Sequence, residues 1–308
     1  MDNFELPELG NFKLPEKVLF MGLAASGKSS IRTVAFEGRL PEEVRNYKAT
    51  ISYVRSTKRI IDSSFQLFDC GGQESFISLF IGEQAEFIFS KVAIFVWVVD
   101  MNNYEQLSTS KFYFDHAITR LHEFSPDASV FCLLHKRDLI NPEMRDQAFD
   151  TVKQHFQTDL SFNIEYRTTS IFDQSIYQIV GEMVQTLINR TTKAKTVSEA
   201  ILDFLDQNDE LSGIAIYTED GVPVFEEGEL ASRLFLPINL SLTNYKRIKE
   251  EYRTLKSFRT TLELNENLLV FQRLKNELLF AGIAKKSNNF QYTLVKMDKI
   301  TEIVNELI

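Results

Sequence analysis

The feature that most constrains this chain is a glycine-rich loop near its start. Residues 22–29 read GLAASGKS, which matches the pattern G-x-x-x-x-G-K-[S/T]. The loop follows an apolar run at 17–21, typical of a buried strand, and leads into a helix predicted at about 28–37. Its glycines let successive N–H groups point at one anion, and the helix start adds partial positive charge. We therefore expect a phosphate-binding loop in which Lys28 reaches the β- and γ-phosphates and Ser29 ligates Mg²⁺. The less specific alternative is a glycine-rich turn with a solvated lysine.

Strand and helix patterns then alternate as far as residue 190. The predicted strands are a hairpin at 51–57 and 59–69 and the apolar runs at 92–100, 130–135 and 164–168, and the predicted helices lie at about 104–124, 143–158 and 174–190. This alternation favours an α/β fold with a doubly wound, mostly parallel sheet.

A second, α+β module is predicted after residue 196. Residues 190–196 are polar and contain no large apolar side chain, so we interpret 191–196 as a linker. The order that follows is α-β-β-α-β-β-β-α: a helix from 197, strands at 213–218 and 222–225, a helix through Tyr245, Ile248, Tyr252 and Leu255, strands at 257–264, 268–274 and 278–284, and a helix through Met297, Ile300, Val304 and Leu307. The expected division is an N-terminal extension (1–16), a first domain (17–190), the linker and a second domain (197–308).

Charge and cysteine content narrow the class of protein. With 34 Lys and Arg against 43 Asp and Glu, the net charge is −9, so we expect no nucleic-acid partner. Two cysteines, Cys70 and Cys132, favour a reducing compartment. The start lacks a signal-peptide pattern, and the longest apolar run, 92–99, is too short to span a bilayer. We expect a cytoplasmic protein without direct membrane insertion.

Two further elements fit a phosphate loop. Residues 69–73, DCGGQ, follow an apolar stretch that is typical of a strand. Asp69 at a strand end can hold Mg²⁺ through water, Gly72 can offer its N–H to a γ-phosphate, and Gln73 can orient an attacking water. Thr50, ahead of a strand, is the candidate second Mg²⁺ ligand and γ-phosphate sensor. Considered alone, the segment 69–73 is simply a turn that ends a strand, and Thr50 is simply a threonine that favours β-structure.

A third sequence element has the groups needed to bind the base of a nucleotide. Residues 135–138 read HKRD and follow a buried strand. The Asp138 carboxylate can accept hydrogen bonds from the N1–H and the exocyclic amine of guanine, and adenine presents no such pair. The stem of Lys136 can lie along the base, and a backbone N–H of Ser170 or Ile171 can contact guanine O6. Considered alone, His135 is more simply a capped residue at a strand end, and the Thr-Ser pair before Ile171 is more simply a helix cap. The assignment of these residues to base binding therefore depends on their spacing relative to the other elements.

These elements, in this order, resemble those of a small guanine-nucleotide switch. Histidine at 135, where most small GTPases have asparagine, together with DCGGQ at 69–73 resembles the Rag (Gtr) GTPases, in particular the RagA/Gtr1-like class. The element order after residue 196 resembles the roadblock (longin-like) domain at their C-terminus. Phe172 departs from the Ras-like pattern, which has lysine after T-S-A, and this leaves open whether Phe172 covers the base edge or belongs to the core.

The resemblance implies a complete nucleotide and metal site. The residues that would hold GTP or GDP are Gly22, Ala25, Ser26, Gly27, Lys28, Ser29, Ser30, Thr50, Gly72, His135, Lys136, Asp138, Ser170 and Ile171. Mg²⁺ would be held by Ser29, Thr50 and, through water, Asp69. Catalysis would depend on Gln73, Lys28 and Thr50.

The resemblance also implies partners. It predicts a homo- or heterodimer with a Rag-like GTPase through the C-terminal domain, GTPase-activating and exchange partners, and a roadblock-type scaffold. The implied role is amino-acid signalling, with recruitment by partners to a lysosome- or vacuole-like surface in a eukaryote. Hydrolysis is expected to be slow without an arginine from a partner, since no arginine can be assigned in cis and Arg45 cannot be located from sequence.

Two alternatives stay open. One is a scaffold subunit that holds nucleotide without hydrolysing it, which Thr50 and Gln73 disfavour. The other is an ATP-dependent kinase or ATPase, which Asp138 and Gln73 disfavour.

Overall fold

The first domain is built around a six-stranded sheet. The computed structural model describes residues 16–308 apart from 45–49, 61–62, 159–161, 189–191, 220, 235–236, 239, 243, 246–247, 249–258 and 287–289. The strands are β1 (Glu16–Met21), β2 (Tyr53–Ile60), β3 (Ser63–Cys70), β4 (Val92–Asp100), β5 (Ser129–His135) and β6 (Ile164–Thr169). The helices are α1 (Lys28–Ile31), α2 (Glu74–Ile81), α3 (Ala85–Phe89), α4 (Leu107–Phe124), α5 (Arg145–His155) and α6 (Ser175–Ile188). The order β2-β3-β1-β4-β5-β6, parallel except for β2 against β3, confirms the doubly wound fold.

The sheet order brings several loops to one edge. The central strands are apolar along their length because helices cover both faces, and β4 is buried from Val92 to Val99. β1, β3, β5 and β6 run in the same direction, so their carboxyl ends meet at one edge. There Asp100 pairs with His135, which in turn pairs with Thr169. Ligands of such sheets bind outside the carboxyl ends of the strands.

The structure changes some predicted boundaries. β2 continues to Ile60 and β3 begins at Ser63, so the predicted break at Lys58 is wrong; Lys58 is inside β2 and opposes Phe65. β2 is an edge strand with mostly exposed or half-buried side chains, and its polar composition hid its length. The helix predicted at 28–37 is α1 continued by a π-helical turn, Arg32–Phe36. The short helices α2 and α3 were not predicted.

The second domain has an antiparallel sheet between helices. Its elements are α7 (Thr192–Asp206), β7 (Leu211–Thr218), β8 (Pro223–Glu227), β9 (Arg259–Glu263), β10 (Asn267–Arg273), β11 (Leu278–Lys285) and α8 (Phe290–Leu307), in the strand order β8-β7-β11-β10-β9. α7 and α8 pack on one face, and helical residues between 237 and 248, among them Ile238 and Leu242, cover the other. This agrees with the predicted roadblock-like order.

Three details of that prediction need comment. α7 begins at Thr192, so the polar residues 192–196 are helical rather than extended linker. Their polarity fits a first helical turn as well as a junction, and composition alone does not separate the two. Of the second predicted helix, Tyr245 is buried as expected, Ile248 is 46% exposed, and Tyr252 and Leu255 lie outside the described residues.

The two domains share one apolar core. α6 packs against β8, with Gly181 so close to Pro223 that a Cβ there would lie 2.6 Å from the proline Cγ. Buried residues continue without a break from Val184 of the first domain to Val197 and Val222 of the second. Among the helices that the structure describes, none is both long and apolar enough to cross a bilayer.

Candidate functional site

A cleft of about 400 Å³ opens at the carboxyl edge of the first sheet. Its walls are formed by Ala24, Ala25, Gly27, Lys28, Ser29, Ser30, Val44, Thr50, Cys70, Gly72, Gln73, His135, Lys136, Asp138, Leu139, Ile171 and Phe172. Most of the predicted site residues are therefore together in one place. Gly22, Ser26, Asp69 and Ser170 do not line the cleft and lie behind its walls.

The phosphate loop adopts a backbone that favours glycine. Gly27 has φ +104°, and a Cβ there would collide with the imidazole ring of His135. Ala25 also lies in the left-handed region, at φ +62°. The N–H of Ile31 donates to the carbonyl of Gly27 at 2.9 Å, which starts α1 directly behind the loop. The first N–H groups of a helix have no intrahelical partner, and such groups behind a glycine-rich loop are suited to bind an anion.

Lys28 is buried inside the loop it belongs to. Its Nζ donates to the carbonyl oxygen of Leu23 at 2.8 Å and lies 3.4 Å from Ser26 Oγ. Burial lowers the pKa of Lys28 to about 8, against the opposing field of Asp69. Ser26, itself 2% exposed, therefore positions the lysine instead of facing the cleft.

A set of oxygens lies beside this lysine. Ser29 Oγ and Thr50 Oγ1 share a hydrogen bond of 2.8 Å, although 21 residues separate them. Asp69 is fully buried at the end of β3; its Oδ2 accepts from Arg32 Nε at 3.2 Å, and its buried Oδ1 has no hydrogen-bond partner among the described residues. Hydroxyl and carboxylate oxygens are the ligand types that Mg²⁺ prefers. Their placement fits a magnesium site with a carboxylate behind two hydroxyls.

The segment after Asp69 connects the loop to the strand that follows Thr50. The N–H of Gly71 donates to the carbonyl of Ser52 at 2.5 Å. A Cβ on Gly72 would lie 2.5 Å from the backbone nitrogen of Ala24, so only glycine allows this contact with the phosphate loop. Gln73 follows as the exposed residue ahead of α2 and lines the cleft. Its side chain is free to contact a ligand there.

The other end of the cleft is formed by the motif at 135–138. His135 is buried, and its Nδ1 is 2.9 Å from Thr169 Oγ1. Burial lowers the pKa of His135 to about 4, so the ring is neutral near pH 7. Since the opposite edge of this ring packs against Gly27, His135 joins the base motif to the phosphate loop.

Lys136 and Asp138 of the motif are held differently. Lys136 has φ +64°, and its Nζ pairs with Asp100 Oδ2 at 2.7 Å. Asp138 is exposed to the cleft, and its Oδ1 accepts from Ser170 Oγ at 2.6 Å. The N–H of Ser170 donates to Ser175 Oγ at 3.0 Å, which makes Ile171 the better candidate for a backbone contact with a base. The side chain of Ser170 orients Asp138 from behind.

Several residues of the site were missed by the sequence analysis. The cleft walls also include Ala24, Val44, Cys70 and Leu139, together with Phe172, whose role the sequence analysis left open. Phe172 is 46% exposed, so it lies at the cleft and does not belong to the core. Asp100 and Thr169 could have been found from their position at the ends of strands beside His135. Arg32 gave no sequence signal, and Arg45 lies outside the described residues.

Comparison with known proteins gives consistent matches. The model of a family described as "Gtr1/RagA G protein conserved region" matches residues 17–222. The chain is 30% identical over 299 residues to GTP-binding protein GTR1 of Saccharomyces cerevisiae, covering 91% of this chain and 94% of the yeast protein. It is 33% identical over 178 residues to GTP-binding protein gtr1 of Schizosaccharomyces pombe, covering 57% of this chain and 58% of that protein. It is 32% identical over 177 residues to Ras-related GTP-binding protein A of Dictyostelium discoideum, with the same coverage of 57% and 58%.

Proposed function

Because the chain belongs to the Gtr1/RagA G protein family, we propose that it is a guanine-nucleotide switch that binds GTP and GDP with Mg²⁺ and hydrolyses GTP slowly. The observation that carries this proposal is the cleft itself. It brings the phosphate loop, Thr50, Gln73 and Asp138 to one edge of the sheet, although they are far apart in the chain. Each group has the chemistry that one part of a guanine nucleotide needs.

The nucleotide lies along the cleft in this proposal. Its phosphates contact the loop amides and Lys28, and its base lies between Lys136 and Phe172 with its edge at Asp138. The Asp138 carboxylate, oriented by Ser170, accepts from N1–H and the exocyclic amine of guanine. Phe172 is exposed at this end of the cleft and offers an apolar surface to the base.

Mg²⁺ would be held by Ser29 and Thr50 directly and by Asp69 through water. Two observations support this assignment: the buried Oδ1 of Asp69 has no partner within the described ranges, and the hydroxyls of Ser29 and Thr50 lie 2.8 Å apart. When bound, the metal neutralises charge on the β- and γ-phosphate oxygens. Lys28 and the loop amides add to that stabilisation from the protein side.

Gln73 orients the attacking water, and Thr50 and Gly72 sense the γ-phosphate. In the part of the chain that the structure describes, no arginine lines the cleft. A glutamine has little base strength, so hydrolysis is slow until a partner supplies an arginine, which in related switches adds roughly 10³–10⁵-fold. Loss of the γ-phosphate releases the segments around Thr50 and Gln73, and this is the readout of the switch.

We assign the domains separate roles. Residues 17–190 form the nucleotide-binding domain, and 197–308 form the module that pairs with a Rag-like GTPase, as homo- or heterodimer. β9 is an edge strand of the second sheet, with Leu262 38% exposed, and a partner would cover such an edge. Roles in nutrient signalling, with activating and exchange partners and recruitment to a membrane by a scaffold, follow from the family resemblance.

The test combines nucleotide identity with turnover. The purified protein should retain GDP or GTP, and added GTP with Mg²⁺, but not ATP, should raise its melting temperature. Single-turnover assays should then detect slow hydrolysis of bound GTP. Tight GTP binding without any turnover would favour a nucleotide-holding scaffold, and protection by ATP would favour an ATPase. Neither result is expected for a cleft that contains both Asp138 and Gln73.

A further inference from the structure

Arg32 is a buried cation outside the cleft. It follows α1 directly, and its side chain is only 10% exposed. Its Nε donates to Asp69 Oδ2 at 3.2 Å, and its Nη1 forms an ion pair with Glu37. Arg32 is not among the residues that line the nucleotide cleft. The arginine therefore bridges two carboxylates behind the site and is not placed to touch a phosphate.

Asp69 needs a positive partner. Its side chain is fully buried, and in the part of the chain that the structure describes Oδ1 has no hydrogen-bond partner. A buried carboxylate is unfavourable unless it is paired. Lys28 is near enough to feel the field of Asp69, but its Nζ donates to Leu23 and Ser26. Among the described residues, Arg32 is the one recorded ion-pair partner of Asp69.

The π-helical turn explains how Arg32 reaches both carboxylates. Residues five apart on an α-helix point about 140° away from each other. Arg32 and Glu37 are five apart, and the turn Arg32–Phe36 is closed by i→i+5 hydrogen bonds, which bring such residues to the same side. The backbone thus departs from regular α-helix at the point where the arginine pairs with Glu37. Glu37 is the last residue before Gly38, whose φ is +61°.

We propose that Arg32 is the resident counter-cation of Asp69. It holds the carboxylate in place behind the Mg²⁺ site and balances its charge when no metal is bound. Because Oδ2 is engaged by Arg32, Oδ1 is the oxygen left for a metal-bound water. Arg32 is therefore a positioning residue that lets the nucleotide site stay folded through a metal-free interval. This inference rests on the proposed function, since it takes Asp69 as the carboxylate behind Mg²⁺.

The first test compares metal-loaded and metal-free protein. Arg32→Met removes the charge but keeps an apolar stem, and Arg39→Met, at an exposed position near the same helix end, is the matched control. GDP release and melting temperature are measured with Mg²⁺ and with EDTA. We expect chelation to accelerate GDP release at least about tenfold more in Arg32→Met than in wild type, because an uncompensated buried charge is costly. Arg39→Met should behave as wild type. An equal response to EDTA in all three proteins would overturn the proposal.

A second test separates charge from packing. If Arg32→Met is poorly folded, Asp69→Asn is added to it and the melting temperatures of the nucleotide-free proteins are compared in EDTA. Asp69→Asn removes the unpaired charge, so the double variant should melt above Arg32→Met. Arg32→Lys, which keeps one cation, should fall between wild type and Arg32→Met. Failure of Asp69→Asn to raise the melting temperature would mean that lost packing, not charge, explains Arg32→Met.

These measurements also separate the inference from the proposed function. If wild type binds no GDP, the proposed function fails, but the nucleotide-free cycle between Arg32 and Asp69 can still be measured. If wild type binds GDP in a Mg²⁺-dependent way and Arg32→Met responds to EDTA as wild type does, only the role of Arg32 is wrong.

Discussion

Replacing Asp138 with asparagine should change which base the protein binds. The carboxylate accepts two hydrogen bonds from guanine in the proposed complex, and Ser170 Oγ fixes its orientation at 2.6 Å. Asparagine keeps one acceptor but presents an N–H₂ group where the second acceptor was. That group opposes the exocyclic amine of guanine. Xanthine has a carbonyl at the same position, so the variant should prefer xanthosine diphosphate to GDP.

The size of the effect follows from the bonds involved. A hydrogen bond to a charged group contributes about 1.5–3 kcal/mol, so two contribute about 3–6 kcal/mol. Asp138 is exposed in the open cleft, which favours the lower end of this range. We expect GDP affinity to fall by about 100-fold, corresponding to about 3 kcal/mol. Ser170→Ala removes the orienting bond, together with the 3.1 Å bond from the Phe172 N–H to Ser170 Oγ, and should weaken GDP binding by less than about tenfold.

The assay is competition against a fluorescent GDP analogue. Wild type, Asp138→Asn, Ser170→Ala and the exposed control Asp146→Asn are titrated with GDP and with xanthosine diphosphate. Asp146 lies in the first turn of α5 and does not line the cleft, so its variant should bind as wild type. If Asp138→Asn lost less than about tenfold in GDP affinity and gained nothing for xanthosine diphosphate, Asp138 would not read the base.

Three further predictions concern the end of the cleft that contains the phosphate loop. Gln73→Leu removes the group that orients water, so single-turnover hydrolysis should fall at least about tenfold while GTP affinity stays near wild type; unchanged turnover would refute the role. Ser29→Asn replaces the hydroxyl beside Thr50, so calorimetry should detect weaker GTP binding in Mg²⁺, and unaltered affinity would exclude Ser29 as a ligand. Burial holds the pKa of Lys28 at about 8, and the polyphosphate favours its protonated form. GDP affinity should therefore be flat below about pH 8 and fall by up to tenfold per pH unit above it, measured from about pH 6.5 to 9.5. A flat profile across that range would contradict the direct contact of Lys28 with phosphate.

Much of the site was predictable because each of its elements is a short continuous segment that directly follows a strand. The loop at 22–29, the DCGGQ segment and the HKRD motif each follow an apolar run, and parallel strands bring their ends to one edge. The 2.8 Å contact of Ser29 with Thr50 agrees with their assignment to one site. Short helices such as α3 were missed because five residues, Ala85–Phe89, carry too few turns for a periodic pattern.

Arg32 was not predictable for a different reason. Its two partners are five and 37 residues away, and neither spacing is typical of an α-helical ion pair. Only the π-helical turn and the course of β3 bring the three charges together. Ser26 and Ser170 were predicted to bind nucleotide, but the contacts of their hydroxyls with Lys28 and Asp138 behind the cleft wall were not predictable from sequence. Sequence patterns identify the groups that face a ligand better than the groups that hold them.

The distribution of charge in the site explains how a chain of net charge −9 can attract a polyphosphate. Arg32 and Lys136, two cations near the cleft, are already neutralised, since Arg32 pairs with Asp69 and Lys136 with Asp100. Lys28 donates to uncharged oxygens, and in the described part of the chain it forms no recorded ion pair. The remaining attraction comes from that one ammonium and from backbone N–H groups at the start of α1, which keep their direction when a ligand leaves. Because these groups act within a few ångströms, the net charge of the protein does not govern nucleotide affinity, and salt should weaken binding far less than it weakens a nucleic-acid complex.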